Sequence, residues 1–418
     1  MRKKYKKRNY NYKFFGVFAV TLSFVLLIGV ATILIYNYWS GDAGWLNPAE
    51  DMADFDGETE LISHPITQDA VDIPVNDQPY ADVLGDAAYM AENRIYSKEV
   101  AVPGEVRLCF AGDILFDDAY AVMATAIQRG GTVDRVFSSD LLERMKAADI
   151  MMLNNEFPYT IGGVPTPEKQ YTFRADPETA TWLEDMGVDI VSLANNHAFD
   201  FGETGLLDTL DTLQQLELPY VGAGNDLDEA SAPVYIIADG LKIAFIGATQ
   251  IERLDNPDTR GATDTRSGVF RCWNPQQLIE TVAEAKENSD FVVVYIHWGT
   301  ENVPDPDWAQ QDQAPQIAAA GADLIIGSHP HCLQGITYSG DVPVIYSLGN
   351  FWFNSRPVDT GMLEVVINTD GIKTIQFVPA IQENCSTELS SGSEKERILQ
   401  IMRDLSPGIA IDSDGYVR

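Results

Sequence analysis

The chain has 418 residues, and 45% of them are apolar, so it can bury a substantial core and is not a disordered polymer. Its 28 Lys and Arg face 62 Asp and Glu, for a formal charge of −34. That balance excludes general nucleic-acid binding, because the phosphate backbone requires clustered basic residues. Four scattered Cys without a CxxC pair indicate neither a disulfide framework nor a cysteine zinc module.

The N-terminus combines a basic tail with a long apolar run. Residues 1–13 hold seven basic residues and no acid, and residues 14–36 are uncharged. A helix over that apolar run would span about 35 Å, enough to cross a bilayer with some tilt. We therefore predict a single-pass membrane anchor, with residues 1–13 in the cytoplasm and the main domain outside the cell membrane. The alternative is a cleaved signal peptide, whose apolar region is usually shorter, about 7–15 residues.

Residues 37–104 form a distinct acidic segment. They contain 14 acidic residues, two basic residues and five prolines, with no sustained apolar period. Repulsion between like charges extends such a chain, so we predict an extracytoplasmic stalk that lifts the next domain off the membrane. A short helix over residues 82–94 is an additional hypothesis.

Residues 105–380 have the pattern of an α/β domain. Short apolar runs that end in polar turns predict buried strands, and the amphipathic stretches 206–216 and 275–286 predict helices. Residues 234–247 and 363–378 place Asp-Gly between β-rich arms, a strong hairpin signal that favours mixed over purely parallel sheets. We predict that residues 381–418 form a tail with a short helix. The predicted strands are Val106–Ala111, Ile150–Leu153, Ile190–Leu193, Phe291–Ile296, Leu324–Ile326 and Val344–Tyr346.

Polar side chains cluster directly after these predicted strands. Four of the five His lie there, together with an Asp, a Glu and two Asn. Ligands of α/β sheets bind at the carboxyl ends of the strands, and this set of nitrogen and oxygen donors suits a divalent metal. The residues are Asp113, Glu156, Asn195, Asn196, His197, His297, His329 and His331.

The spacing of His329-Pro330-His331 is informative. If this segment is extended, both imidazoles point to the same side and could serve one metal each in a two-metal cluster, which a carboxylate such as Glu156 could bridge. Each residue also has a purely structural explanation, for example a helix cap for Asp113 or a turn for Asn196. The concentration of His at strand ends favours a metal site over a set of unrelated packing roles.

Six motifs occur in order along residues 105–380. They are Gly-Asp at 112–113, Asn-x-Glu at 154–156, LANNH at 193–197 with Asp-x-Gly at 200–202, HWG-x-E at 297–301, GSHPH at 327–331 and YSLGNF at 346–351. Together they resemble the CapA-type capsule-synthesis family, which is linked to poly-γ-glutamate. The resemblance implies a calcineurin-like metallophosphoesterase fold, a sandwich of two mixed β-sheets flanked by helices, after an N-terminal transmembrane helix.

The resemblance also implies a role for each site residue. Asp113 and His331 would hold one metal ion, and Glu156 would bridge it to a second. Asn196, His297 and His329 would hold that second ion. His197 would be the general acid that protonates a leaving group.

Two departures from the wider phosphoesterase superfamily concern the metals. Its first motif is Asp-x-His, but Leu115 occupies the place of the His, and its bridging Asp is here Glu156. The first ion would lack one ligand, so one ion and two ions both stay open, and the residues do not distinguish Mn, Fe and Zn. Arg174 is a candidate clamp for a substrate carboxylate or phosphate, the alternative being a surface Arg paired with a nearby acid.

Two functional hypotheses follow. The first is an anchored extracytoplasmic metallohydrolase that acts on an anionic polymer or phosphoester of the cell envelope. The second is a non-enzymatic subunit of a capsule synthesis and export assembly, in which other capsule-synthesis membrane proteins are the partners and a vestigial metal site holds structure or polymer. The acidic exterior repels a polyanion at long range, so polymer contact is predicted to concentrate at the metal cleft.

Overall fold

The computed structural model describes residues 79–251 and 259–418, which belong to a single structural unit. The predicted cytoplasmic tail, the predicted anchor and most of the predicted stalk lie outside these residues. Among the helices of the described part of the chain, none is long and apolar enough to cross a bilayer.

Strands and helices alternate along most of the chain. The strands are β1 (Ile95–Lys98), β2 (Val106–Ile114), β3 (Ile150–Asn155), β4 (Ile190–Ser192), β5 (Tyr220–Val221), β6 (Ala223–Gly224), β7 (Val234–Ala238), β8 (Leu241–Thr249), β9 (Gly268–Val269), β10 (Phe291–His297), β11 (Leu324–Ser328), β12 (Ile336–Ser339), β13 (Val342–Ile345), β14 (Asn350–Trp352), β15 (Val358–Asn368), β16 (Gly371–Glu383), β17 (Ser386–Leu389) and β18 (Tyr416–Val417). The α-helices are α1 (Ala81–Leu84), α2 (Ala87–Glu92), α3 (Ala121–Gln128), α4 (Ser139–Lys146), α5 (Thr181–Met186), α6 (Gly202–Gln215), α7 (Leu227–Ser231), α8 (Gln276–Glu287), α9 (Trp308–Ala320) and α10 (Gly392–Leu405).

The strands form two large mixed sheets. The first sheet has the order β1-β7-β8-β10-β11-β13-β12, and its strands β8, β10, β11 and β13 run parallel. The second sheet has the order β17-β16-β15-β2-β3-β4-β5, in which β2 to β5 run parallel and β15 to β17 antiparallel. Strand β14 adds to β2 in parallel. The prediction of two mixed sheets is confirmed.

Both predicted hairpins are present. Strands β7 and β8 pair around Asp239 and Gly240, whose φ angles are 49° and 75°, and strands β15 and β16 pair around Asp370 and Gly371. The first turn has positive φ at both positions, as a two-residue turn of type I′ requires. In the second turn Gly371 has a φ of 107°, and Asp370 does not have a positive φ. The Asp-Gly signal therefore places an antiparallel pair in each sheet.

Apolar side chains from the facing sides of the two sheets form the central core. Along β2, Leu108 and Phe110 belong to this core, whereas the alternate residues Cys109 and Ala111 pack against the helices on the outer side. Helices α3 to α6 cover the second sheet, and helices α8 and α9 cover the first. Because both faces of β2 are covered, its sequence is a nearly continuous apolar run.

The domain extends beyond both predicted boundaries. Strand β1 lies in the predicted stalk but pairs with β7, with Ile95 buried at the edge of the sheet. At the other end, β16 continues to residue 383, β17 and β18 pair with it, and α10 places Ile398, Leu399 and Met402 in the central core. The domain described here therefore includes residues 95–104 and the predicted C-terminal tail, because edge pairing and one helix face join these segments to the sheets.

Candidate metal centre

The polar side chains that follow the parallel strands meet at one edge of the sandwich. Asp113 ends β2, Glu156 follows β3, and residues 195–197 follow β4; in the other sheet His297 ends β10. Parallel strands deliver their carboxyl ends to the same edge, so these residues converge. Eight residues were predicted to have a catalytic or metal-binding role, and the structure brings together all of them except Arg174. The seven are Asp113, Glu156, Asn196, His197, His297, His329 and His331.

Glu156 lies at the centre of this group and is fully buried. Its Oε2 accepts a hydrogen bond from Asn154 Nδ2 at 3.0 Å, but its Oε1 has no hydrogen-bond partner among the described residues. Three imidazole Nε2 atoms surround Oε1, at 3.8 Å for His297, 3.9 Å for His331 and 4.0 Å for His197. All three distances are too long for hydrogen bonds. Those to His297 and His331, which belong to candidate ligand groups, suit two donors on one ion, since metal–ligand bonds are about 2.0–2.2 Å.

Two groups of possible ligands share Glu156. One consists of Asp113, Glu156 and His331, and the other of Glu156, His297 and His329. Within each group the donor atoms lie within 4.8 Å of one another. The carboxylate common to both groups is the one that the family resemblance assigned to the bridge between two ions, so the residues present fit a divalent metal site.

Asn196 joins the group that contains His297. Its Oδ1 is 2.8 Å from Nε2 of His297, a separation that fits a hydrogen bond and also two donors on one ion. The other ring nitrogen of His297 lies 3.1 Å from the Ser328 hydroxyl, which orients the imidazole. His329 packs beside it with ring centroids 4.6 Å apart, and its buried Nδ1 has no partner in residues 79–251 or 259–418.

The surroundings of these groups shift their pKa values. Burial, with the neighbouring imidazoles, lowers the pKa of His297 and His329 well below that of an ordinary histidine. Burial and the charge of Asp113 raise the pKa of Glu156. Burial alone would lower the pKa of His331, but the hydrogen bond to Asp113 and the charge of that carboxylate outweigh burial and raise it. Neutral imidazoles and two carboxylates forced together form an environment that a divalent cation stabilises.

The prediction that residues 329–331 are extended is wrong. His329 and His331 have φ angles of 95° and 57°, so the backbone turns directly after β11 instead of continuing as a strand. Positive φ at non-glycine residues is strained and is often retained at functional sites. The turn directs His329 toward His297 and brings His331 Nδ1 to 3.3 Å from Asp113 Oδ2, with the two imidazole centroids 5.7 Å apart.

The imidazole of His197 is oriented by the carboxylate of Asp200. Its Nδ1 lies 2.7 Å from Asp200 Oδ2, and the ring of Phe173 packs on the imidazole at 4.2 Å. An Nδ1–H that donates to Asp200 leaves Nε2 free toward Glu156. Burial lowers the pKa of His197, although Asp200 acts in the opposite direction.

Lys169 supports this arrangement, and sequence analysis did not single it out. Its Nζ forms an ion pair at 2.5 Å with Oδ1 of Asp200, and the two side chains are only 5% and 0% exposed. The same ammonium donates to the backbone carbonyl of Asn196. Lys169 therefore ties the carboxylate behind His197 to the loop that carries Asn196. It lies in a loop with no periodic pattern, so no sequence signal marks it.

Two asparagines orient candidate ligands, Asn154 the two carboxylates and Asn350 the imidazole of His331. Asn154 Nδ2 donates to Asp113 Oδ1 at 2.8 Å as well as to Glu156. Asn350, opposite Asp113 in the pairing of β14 with β2, has its Oδ1 2.8 Å from Nδ1 of His331. Both lie inside motifs quoted above, which is the signal that could have identified them.

Arg174 and Leu115 do not contribute donors to this group. The exposed guanidinium of Arg174 stands over the ring of Phe201 at 4.8 Å and forms no hydrogen bond or ion pair within the described residues. Its role as a substrate clamp stays a prediction. Leu115 is fully buried in the apolar core, and its backbone N–H donates to the Trp352 carbonyl.

The fold and the converging donors define an α/β sandwich protein with a candidate divalent-metal centre at the carboxyl edge of its sheets. Residues 107–355 match the family described as bacterial capsule synthesis protein PGA_cap, and the chain belongs to that family.

Two named relatives share this similarity. The chain is 31% identical over 277 residues to the capsule biosynthesis protein CapA of Bacillus anthracis, covering 63% of this chain and 66% of that protein, just under two thirds. It is 32% identical over 268 residues to the PGA biosynthesis protein CapA of Bacillus subtilis (strain 168), covering 62% of this chain and 68% of that protein. A 5′-nucleotidase structure from Candida albicans SC5314 aligns with a TM-score of 0.36 at 9% identity, over 68% of this chain and 53% of that one.

Proposed function

We propose that this protein is a membrane-anchored, extracytoplasmic component of capsule or cell-envelope polymer biosynthesis, of the poly-γ-glutamate type, with a divalent-metal hydrolase site of the phosphoesterase kind. Family membership supports the biosynthetic role, and two relatives are named for capsule or PGA biosynthesis. One observation carries the metal site: the buried Oε1 of Glu156 lacks a hydrogen-bond partner in the described part of the chain while three imidazole nitrogens face it.

Different residues of the site would bind the metal, donate a proton and orient the proton donor. The two groups that share Glu156 would hold the metal, and a bound divalent ion lowers the pKa of water, polarises a substrate oxygen and stabilises developing charge. His197 presents Nε2 to the same space and would donate a proton to the leaving group. Asp200 and Phe173 fix the orientation of that imidazole, so the proton is held at a defined position.

The second candidate function is a non-catalytic subunit of a capsule assembly, in which the metal holds structure or polymer. Leu115 favours it, because this buried apolar side chain stands where the superfamily motif has a His. The group of Asp113 and His331 is the one that would be weakened. Metal content and turnover separate the two functions.

Purified protein is expected to contain about two equivalents of a divalent first-row metal, or one if Leu115 leaves the Asp113 group too weak. Elemental analysis after exhaustive dialysis measures the stoichiometry, and re-addition of Mn, Fe or Zn after chelation tests reversibility. Folded protein that binds none of these ions after such reconstitution would exclude the metal site.

Membrane anchoring by residues 14–36 makes a second prediction. Protease added to intact cells should remove the acidic domain and spare the basic tail, because positive residues beside an apolar span are retained in the cytoplasm. Immunoblots against both ends of the chain follow the two parts. Full-length protein recovered from the cytosolic fraction would contradict this topology.

A further inference from the structure

We infer that a cleft beside the metal centre binds a pyranose ring of a neutral glycan, with two exposed tryptophans as its platform. The cleft has a volume of about 410 Å³, and Gln250, Trp273, Glu301, Trp308 and His329 are among its lining residues. His329 belongs to a candidate metal-ligand group, so the cleft opens directly from that centre. The inference goes beyond the proposed function by adding a glycan portion to the substrate, and it rests on that function only for the reaction at the metals.

The two tryptophans of the cleft are unusually exposed for their size. Trp273 is 40% exposed and Trp308 is 68% exposed, whereas the other tryptophans of residues 79–251 and 259–418 are buried. Large exposed aromatic side chains mark binding sites more often than isolated aliphatic ones do. Their rings meet edge to face, 6.0 Å apart at 82°. The pair therefore offers a ligand one ring face and one ring edge. This arrangement suits a puckered sugar ring better than a flat nucleobase, because a nucleobase favours stacking between two parallel rings.

Gln250 supplies a polar anchor inside the same cleft. It is only 5% exposed, and its side-chain amide makes no hydrogen bond to any residue that the structure describes. An amide that faces the cleft without a protein partner can form hydrogen bonds with a ligand that enters it. Its backbone N–H donates to the carbonyl of His297 at 2.9 Å, which fixes Gln250 beside the metal centre. One carbonyl and one NH₂ group match the hydroxyl or acetamido groups of a sugar.

The charge of the cleft argues for a neutral ligand. Its charged lining residues are Glu301 and Asp307, and no Lys or Arg lines it among the described residues. Asp307 already accepts from the backbone of Ala309 and Gln310 and from the Thr300 hydroxyl, whereas Glu301 can still accept from ligand hydroxyls. Ligand hydroxyl groups can donate to these carboxylates, whereas ligand carboxylates cannot. We therefore assign the tryptophan end of the cleft to a neutral glycan portion of the substrate.

Titration of the purified full-length protein with neutral trisaccharides tests this inference, with chitotriose, cellotriose and maltotriose as probes. Calorimetry should show saturable binding of at least one probe in the millimolar range or tighter. Trp308→Ala and Trp273→Ala should each weaken it about tenfold, and Gln250→Met should weaken it as well. Tyr89→Ala is the control, because Tyr89 is also an exposed aromatic residue, 45% exposed, on helix α2, and does not line the cleft.

Two further measurements keep this inference separate from the proposed function. A Glu156→Gln protein that has lost its metal should still bind the trisaccharide. Sugar binding that depends on Trp308 in a protein that takes up no metal would refute the metal site and support the cleft. No saturable binding of any probe, or binding unchanged by both tryptophan substitutions, would overturn the inference. So would tighter binding of AMP or of a poly-γ-glutamate oligomer at the same tryptophans.

Discussion

Glu156→Gln is expected to lower the affinity of the protein for divalent metal by at least about 100-fold, since the loss of outer partners of a ligand alone costs 10–100-fold. The side chain is common to both candidate ligand groups, and glutamine keeps its shape while it removes its charge. Without that charge, two nearby cations would repel each other with nothing between them to offset the repulsion. Glu156→Ala should have the same effect and should also leave a space beside Asn154.

The fold should survive both substitutions. The central core consists of apolar side chains from the facing sheets, and none of the metal-ligand candidates belongs to it. Elemental analysis and chelator competition give the affinity, and circular dichroism checks the fold. The matched control is Glu364→Gln, which removes another poorly exposed carboxylate, one that pairs with Arg144. A Glu156→Gln protein that keeps the metal content and affinity of the control would contradict the shared-ligand assignment.

Much of the sandwich could be predicted from hydrophobic pattern alone. Strand β2 is covered on both faces, so its apolar run is nearly continuous. The Asp-Gly pairs mark the turns of β7–β8 and β15–β16, because Gly240 and Gly371 take the positive φ that each turn needs. Strand β1 escaped prediction because only Ile95 of its four residues is buried, which gives no period to detect. Its place depends on backbone pairing with β7, which is a tertiary property.

The candidate metal centre could likewise be predicted only where it does not depend on tertiary contacts. His297 ends a strand of the first sheet, so its approach to the acidic residues depends on how the two sheets pack. Within the second sheet, the ends of β2 and β3 could be predicted to bring Asp113 and Glu156 together, because parallel register fixes which ends meet. The backbone turn at His329 could not be predicted, because it depends on the tertiary contacts that hold an unfavourable φ angle. The ion pair between Lys169 and Asp200 could not be predicted either, because Lys169 lies in a loop without a periodic pattern, 31 residues from its partner.

His197→Ala is expected to cut turnover by about 10²–10⁴-fold while leaving metal content nearly unchanged. The imidazole is held at Nδ1 by Asp200 and faces the metal-ligand candidates through Nε2, the arrangement of a proton donor and not of a structural histidine. The adjacent Asn196, whose amide oxygen contacts His297, keeps its side chain in this variant. Activity can be measured with chromogenic phosphoesters and with γ-glutamyl substrates, each at saturating metal.

His297→Ala is the comparison variant that separates loss of the metal from loss of the proton donor. It should lose both metal and turnover, because His297 belongs to a candidate ligand group, whereas His197→Ala should lose turnover alone. If the protein is instead an assembly subunit, cells with His197→Ala should form a normal capsule, and removal of the predicted anchor, residues 14–36, should abolish it. Full hydrolytic activity together with a normal capsule in the His197→Ala strain would exclude the catalytic role. Loss of turnover with metal retained would place the proton donor at this imidazole, because only the group that Asp200 orients has changed.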